Sequence, residues 1–144
     1  MDKKPIFTID CEDWNSALHI GNQGHSSAYI IKDYLLPLLK KHNIRGIFYI
    51  LGRFFYENED VCNQIREEGH IIGIHGIWHD HWETTIFSDL GKVPHRFPYW
   101  EGEKIPWPPA GGFFFRLMPV WYLIWAIKKS GQIWLHPHDL DESH

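Results

Sequence analysis

The sequence predicts an α/β fold built on a mostly parallel sheet, and three observations carry that reading. Between residues 6 and 74, short apolar runs alternate with amphipathic helical stretches, strand–helix–strand–helix–strand, the pattern of βαβ units. Gly52 closes the second run and Gly69 the second helix, at the places where strand and helix ends need a permissive backbone. Acids follow the first run and a histidine follows the third, and functional groups of parallel sheets gather beyond the carboxyl ends of their strands.

Taken in order, Ile6–Ile9 reads as a buried strand running into an acidic turn, Asp10-Cys11-Glu12-Asp13-Trp14. Ser27 to His42 follows as an amphipathic helix, with Ile30, Ile31, Tyr34, Leu35, Leu38 and Leu39 at helical spacing and Pro37 as a point of kinking. Gly46–Leu51 is the second strand, Glu57–Glu68 the second helix, and Ile71–Ile74 the third strand, which ends in His75-Gly76-Ile77-Trp78-His79. Trp82 to Ala110 is rich in Pro, Trp and Gly and reads as a long irregular segment. Leu117–Lys129 is a further helix, followed by Gly131. Ile133–Leu135 is a last strand running into His136-Pro137-His138-Asp139. No internal repeat or low-complexity tract interrupts this order.

The 144 residues fit one domain, 1–144, with a real core, and 44% are apolar. A net charge of −4 with no basic run excludes a nucleic-acid binder held by phosphate contacts. Aromatic residues make up 16%, with eight Trp; such rings stack on sugars, and they also fill cores and interfaces. Cys11 and Cys62 give no disulfide framework, and the opening MDKKPIFTID lacks the apolar core of a secretion leader. Both features point to a reducing, cytoplasmic setting. Arg116 and Pro119 interrupt the apolar stretch Phe113–Ile127, so no run approaches the ~20 residues that span a membrane. A buried or interfacial helix is expected there.

His75 and His79 are four apart, so on a helical turn both imidazoles face one ion. Chance pairs are common among eleven histidines, and the pair gains weight from the carboxylates Asp10, Glu12 and Asp13 at another strand end. Asp13 has a second reading as the cap of the turn that follows it. His136 comes to the same edge if the sheet closes into a barrel, and otherwise is a histidine in a Pro-bounded turn. His138 and Asp139 read as rim residues; their HxH spacing leaves a second ion and phosphoester chemistry open. Cys62 reads as core packing, and so does Cys11 at a strand end.

FTIDCEDW, KHNIRGIFYILGRFF and IREEGHIIGIHGIWH closely resemble the amino-terminal half of polysaccharide deacetylases with the NodB-homology fold. The similar subgroup has a first motif Asp-x-Glu-Asp-Trp and accompanies bacterial exopolysaccharide and exosortase clusters. PHRFPYW, PPAGGFFFRLMPVWYLIWAIKK and IWLHPHDLDE resemble that subgroup's closing segment, where Trp-Glu commonly stands in place of His138-Asp139. Residues 1–81 thus match the first half and 82–144 the end. Several strands and helices of the family's middle are missing between them, including an Arg-x-Pro motif whose arginine orients the catalytic aspartate. Arg96-Phe97-Pro98 imitates that motif, but its neighbours belong to the closing segment.

The resemblance implies a partial or distorted (β/α) barrel and a carbohydrate N-deacetylase. Asp10 resembles the catalytic base, His136 the general acid, and His75 and His79 the metal ligands. The carboxylate ligand is expected just after Asp10; Cys11 holds the family's usual position, and Glu12, sharing a face with Asp10 on a continued strand, is favoured over Asp13. The implied cofactor is one divalent ion, zinc first, with cobalt, nickel or manganese as substitutes. The implied substrate is an N-acetylated polysaccharide or glycan, with weak turnover because the orienting arginine is missing. Alternatives are a non-catalytic remnant that binds glycan or a partner, and a metal phosphoesterase. An incomplete barrel is further expected to be covered by a second copy or a partner chain, with Phe113–Trp125 as the contact surface.

Overall fold

The computed structural model describes residues 5–12, 26–76 and 110–141. Four strands, β1 (Ile6–Cys11), β2 (Gly46–Ile50), β3 (Ile71–Ile74) and β4 (Gln132–Leu135), form one sheet in the order β3-β2-β1-β4. Every pairing is parallel. Among the described residues the sheet is open, an arc of a barrel without closure. All four strands fall where the apolar runs placed them. β1 runs two residues beyond Ile9, which brings Asp10 and Cys11 into the ladder opposite Tyr49 and Ile50.

The helices depart from the sequence reading in three places, each with a local cause. The first is divided into α1 (Ser27–Ile30), a π-helical turn (Ile31–Leu35) and α2 (Leu36–Lys41). Pro37 lacks an N–H and its ring crowds the carbonyl four residues back; the wider turn, with the Leu36 N–H donating to Ile31 O, relieves this without ending the helix. Second, Gly52 opens a helix rather than closing a strand: α3 (Gly52–Glu57) precedes α4 (Glu59–Glu67), and the break is Asn58, whose side-chain amide donates to the Phe54 carbonyl. Third, the closing helix expected from Leu117 starts at Val120, because Met118-Pro119 separates α6 (Val120–Ser130) from α5 (Phe113–Leu117), a short helix outside the expected bounds. Gly131 then ends α6 in the left-handed conformation, donating to Ile127 O.

Side chains alternate across a strand, and here the two faces have different tasks. Ile9 and Cys11 of β1, with Phe48 and Ile50 of β2, join Ile31, Leu35, Leu36 and Leu39 and the α4 residues Val61, Cys62 and Ile65 in one buried apolar cluster. Both cysteines are free and buried, as core packing requires; burial, followed by the negative charge of Asp10, pushes the Cys11 thiol well above its ordinary value. Thr8, Asp10 and Glu12 occupy the alternate positions and are buried too. No described helix is long and apolar enough to cross a membrane.

Candidate metal-hydrolase site

Three strand ends deliver the polar groups. Glu12 follows β1 directly, and its carbonyl accepts a 2.6 Å hydrogen bond from Ser27 Oγ, which ties the acidic turn to the start of α1. His75 follows β3; its N–H donates to Ile50 O at 3.1 Å. Gly76, at φ 102, then turns the chain, and its carbonyl accepts from the Gly52 N–H. His136 follows β4, one residue past the Ile9–Leu135 pair, and so emerges beside Asp10.

These placements converge. His75 Nε2 lies 3.4 Å from Glu12 Oε2 and 3.9 Å from Asp10 Oδ2. His136 Nε2 lies 3.3 Å from Glu12 Oε1 and 3.8 Å from Asp10 Oδ2. Asp10 and Glu12 are each only 1% exposed. Glu12 therefore stands between the two imidazoles, as the shared strand face predicts. Burial alone would push its carboxyl up, but hydrogen bonds from His136 and His75, and their charge, together hold it well below the ordinary carboxylate value. Burial pulls His136 down, and the hydrogen bonds its ring donates to Asp139 and Glu12, with the charges of Asp10 and Glu12, outweigh it and push the imidazole up to about 9.

The donor set fits a divalent ion. Glu12 and His75 supply a carboxylate oxygen and an imidazole nitrogen, a hard-to-borderline pair of donors. Ligand atoms held ~2.0–2.1 Å from a tetrahedral ion stand about 3.3 Å apart, close to the 3.4 Å between His75 Nε2 and Glu12 Oε2. His79 and Asp13, the other candidates for ligands, lie outside the described residues, as do Trp14 and Arg96.

Asp139 corrects the reading of a rim residue: it is 8% exposed, and its carboxylate turns back to accept from the His136 N–H at 2.8 Å. Together with the His136 side chain this closes a capping box over the 3₁₀ turn Pro137–Leu140. An acid three residues after a capping position signals such a box in sequence, and HPHD carries that spacing. Ligand atoms of His136, His138 and Asp139 come within 4.8 Å of one another. The two rings, however, are stacked at 4.7 Å and 12°. Lone pairs of parallel imidazoles lie in separate planes, so an ion held here would take one ring and not both. The cleft of about 460 Å³ lined by Lys40, Arg45, Glu68 and His70 is at the other end of the strands, around the start of β2, and is apart from this chemistry.

Comparison with known proteins agrees with this architecture. Residues 30–93 match the model of a family described as polysaccharide deacetylase. A peptidoglycan-N-acetylmuramic acid deacetylase of Bacillus subtilis is 31% identical over 83 residues, 51% of this chain and 32% of the relative. An uncharacterised 30.6 kDa protein of Geobacillus stearothermophilus is 32% identical over 71 residues, 49% of this chain and 26% of the relative. The chain thus spans about a third or less of the length of the curated relatives it matches. Among solved structures, a CE4 family pseudoenzyme from Bacillus anthracis superposes with a TM-score of 0.52 at 12% identity, covering 95% of this chain and 56% of that one. A mutant CE4 family pseudoenzyme gives 0.56 at 14% identity, with 94% and 57% covered.

Proposed function

We propose, for a chain that belongs to the polysaccharide deacetylase family with the NodB-homology fold, that it is a metal-dependent hydrolase removing N-acetyl groups from a polysaccharide or glycan. The observation that carries this reading is the meeting of Asp10, Glu12, His75 and His136 from three strand ends at one buried point. Glu12 and His75, with His79, are the residues assigned to hold one divalent ion, zinc first among zinc, cobalt, nickel and manganese. The ion, when bound, supplies Lewis acidity toward the amide carbonyl and makes a water acidic near neutral pH.

The chain's own residues supply the proton traffic. Asp10 Oδ2, buried and within 4 Å of both histidines, accepts the proton of the attacking water. His136 Nε2, on the same edge, gives a proton to the departing amine. Burial of Asp10 and Glu12 excludes competing water and strengthens each interaction. Without the arginine that orients the aspartate in the family's middle motif, turnover is expected to be slow, by a factor of ~10²–10³.

The test is acetate release from chitin oligomers with zinc supplied, beside metal analysis of the protein. One ion per chain is expected, stripped by His75→Ala, together with slow turnover that Asp10→Asn abolishes. Equal slow rates in wild type and Asp10→Asn would sink the hydrolase reading and favour a non-catalytic glycan-binding protein. Absence of any bound ion would sink the metal site itself.

A further inference from the structure

We infer that Asp139 is the positioning residue of His136, an inference that rests on the hydrolase reading above only for its kinetic arm. A histidine at a strand end has two ring flips of similar energy about χ2, and only one aims Nε2 at a given target. Here Nε2 faces the Glu12 and Asp10 carboxylates, at 3.3 and 3.8 Å, so something must select that flip. Asp139 is placed to do so. Its Oδ2 accepts from the His136 backbone N–H at 2.8 Å and lies 3.4 Å from Nδ1 of the same residue. One buried carboxylate oxygen thereby anchors both the main chain and the far side of the ring. A carboxylate behind a functional imidazole fixes its tautomer and orientation, with Nδ1 the donor and Nε2 left to the site.

Packing narrows the choice further. The His138 ring stacks on His136, and the Trp134 ring meets it edge to face at 5.1 Å and 80°. Trp134 is in turn held against Gly111 and Gly112. A Cβ on Gly111 would stand 2.7 Å from the indole and 2.2 Å from the Trp134 carbonyl, and Gly112 has φ 52. The Gly-Gly pair before α5, the indole and the 3₁₀ turn therefore form one clamp around His136. Its charged member is Asp139.

Asp139→Asn is the discriminating variant, because the amide oxygen still accepts from the His136 N–H while the charge behind the ring is gone. The first readout is the long-range ¹H–¹⁵N spectrum of the imidazoles in metal-free protein. Wild type is expected to show a hydrogen-bonded Nδ1–H on His136. Asp139→Asn is expected to lose or shift it with the backbone amide spectrum otherwise intact, and Asp139→Glu to recover it in part. In the zinc-loaded protein, Asp139→Asn should lower kcat roughly 10–100-fold with KM level, and Asp139→Glu should restore part of it. An unchanged His136 ring proton in Asp139→Asn overturns the inference. So does a general collapse of amide dispersion in both variants, which marks a folding role alone. If wild type turns over no glycan while the ring proton behaves as expected, the hydrolase reading fails and the positioning role stands.

Discussion

The region 5–76 and the closing segment 110–141 supply the same sheet edge by different means. The first packs a continuous apolar cluster under β1 and β2, covered by the helical stretch from Ser27 to Lys41 and by α4. The second has a small separate cluster, Ala110, Leu123 and Ala126, ringed by partly buried Phe115, Met118, Tyr122 and Ile127. It joins the first through the β1–β4 ladder, through polar groups, Thr8 Oγ1 to Ile133 O and His136 to Glu12, and through Leu140, which packs against the main cluster. Glu12 and His75 thus stand on a packed foundation, whereas His136 is held mainly by hydrogen bonds and a ring clamp, with Leu140 as the apolar anchor of its turn. Precision at this site depends on polar geometry on one side and on burial on the other.

The largest effect follows from that contrast. Phe48 is fully buried at the centre of the main cluster, and Phe48→Ala is expected to cost ~3–5 kcal/mol in urea unfolding. Leu123 belongs to the satellite cluster, whose half-exposed neighbours can relax into the space, and Leu123→Ala is expected near the low end, about 2 kcal/mol. Equal costs would show that the closing segment shares the main core.

A pH scan of the metal-stripped protein probes the polar side of the comparison. His136 is raised from 6.5 to about 9 in the folded chain. The stability it contributes is complete below pH 6.5 and is lost as pH rises through about 9. Glu12 has the opposite sign: its contribution is present above its ordinary value of 4.5 and falls away as pH drops toward its lowered folded value. The melting temperature should therefore be highest near pH 5–6.5 and fall toward pH 9.5, by a loss on the order of 3 kcal/mol. His136→Gln should flatten the alkaline limb. An alkaline limb that persists in His136→Gln belongs to some other group and breaks the account.

Much of this edge is legible in the sequence because period and punctuation are local. Apolar runs gave all four strands, and alternation put Asp10 and Glu12 on one face with Cys11 on the other. What was missed depends on side chains answering the backbone. Asn58 breaking a helix and Asp139 folding back on His136 each hinge on one hydrogen bond, and the π turn gives the kink expected at Pro37 a form that no spacing specifies. Such choices leave no periodicity. The HPHD spacing signals the capping box, and the same four residues carry the HxH spacing of a metal pair.

The smallest effect concerns the outward face of α6, which the apolar run 113–127 suggested would be covered. In the described structure Val120, Trp121, Ile124 and Trp125 are exposed along one stripe of α6, with Trp121 at 71%, while Leu123 and Ala126 face inward. A residue so exposed adds little to the fold of a single chain, and changes at such positions usually stay within about ±0.5 kcal/mol. Trp121→Lys is therefore expected to leave the urea midpoint of a dilute sample unchanged. The same variant also reports on whether anything sits on that stripe. If a second copy covers it, the melting temperature of wild type must rise with protein concentration, because association stabilises the folded state by mass action. Trp121→Lys would then abolish that dependence while matching wild type at high dilution. A cost above about 1 kcal/mol at high dilution would instead mean that the indole packs within its own chain, and the contrast between the two regions would have to be redrawn.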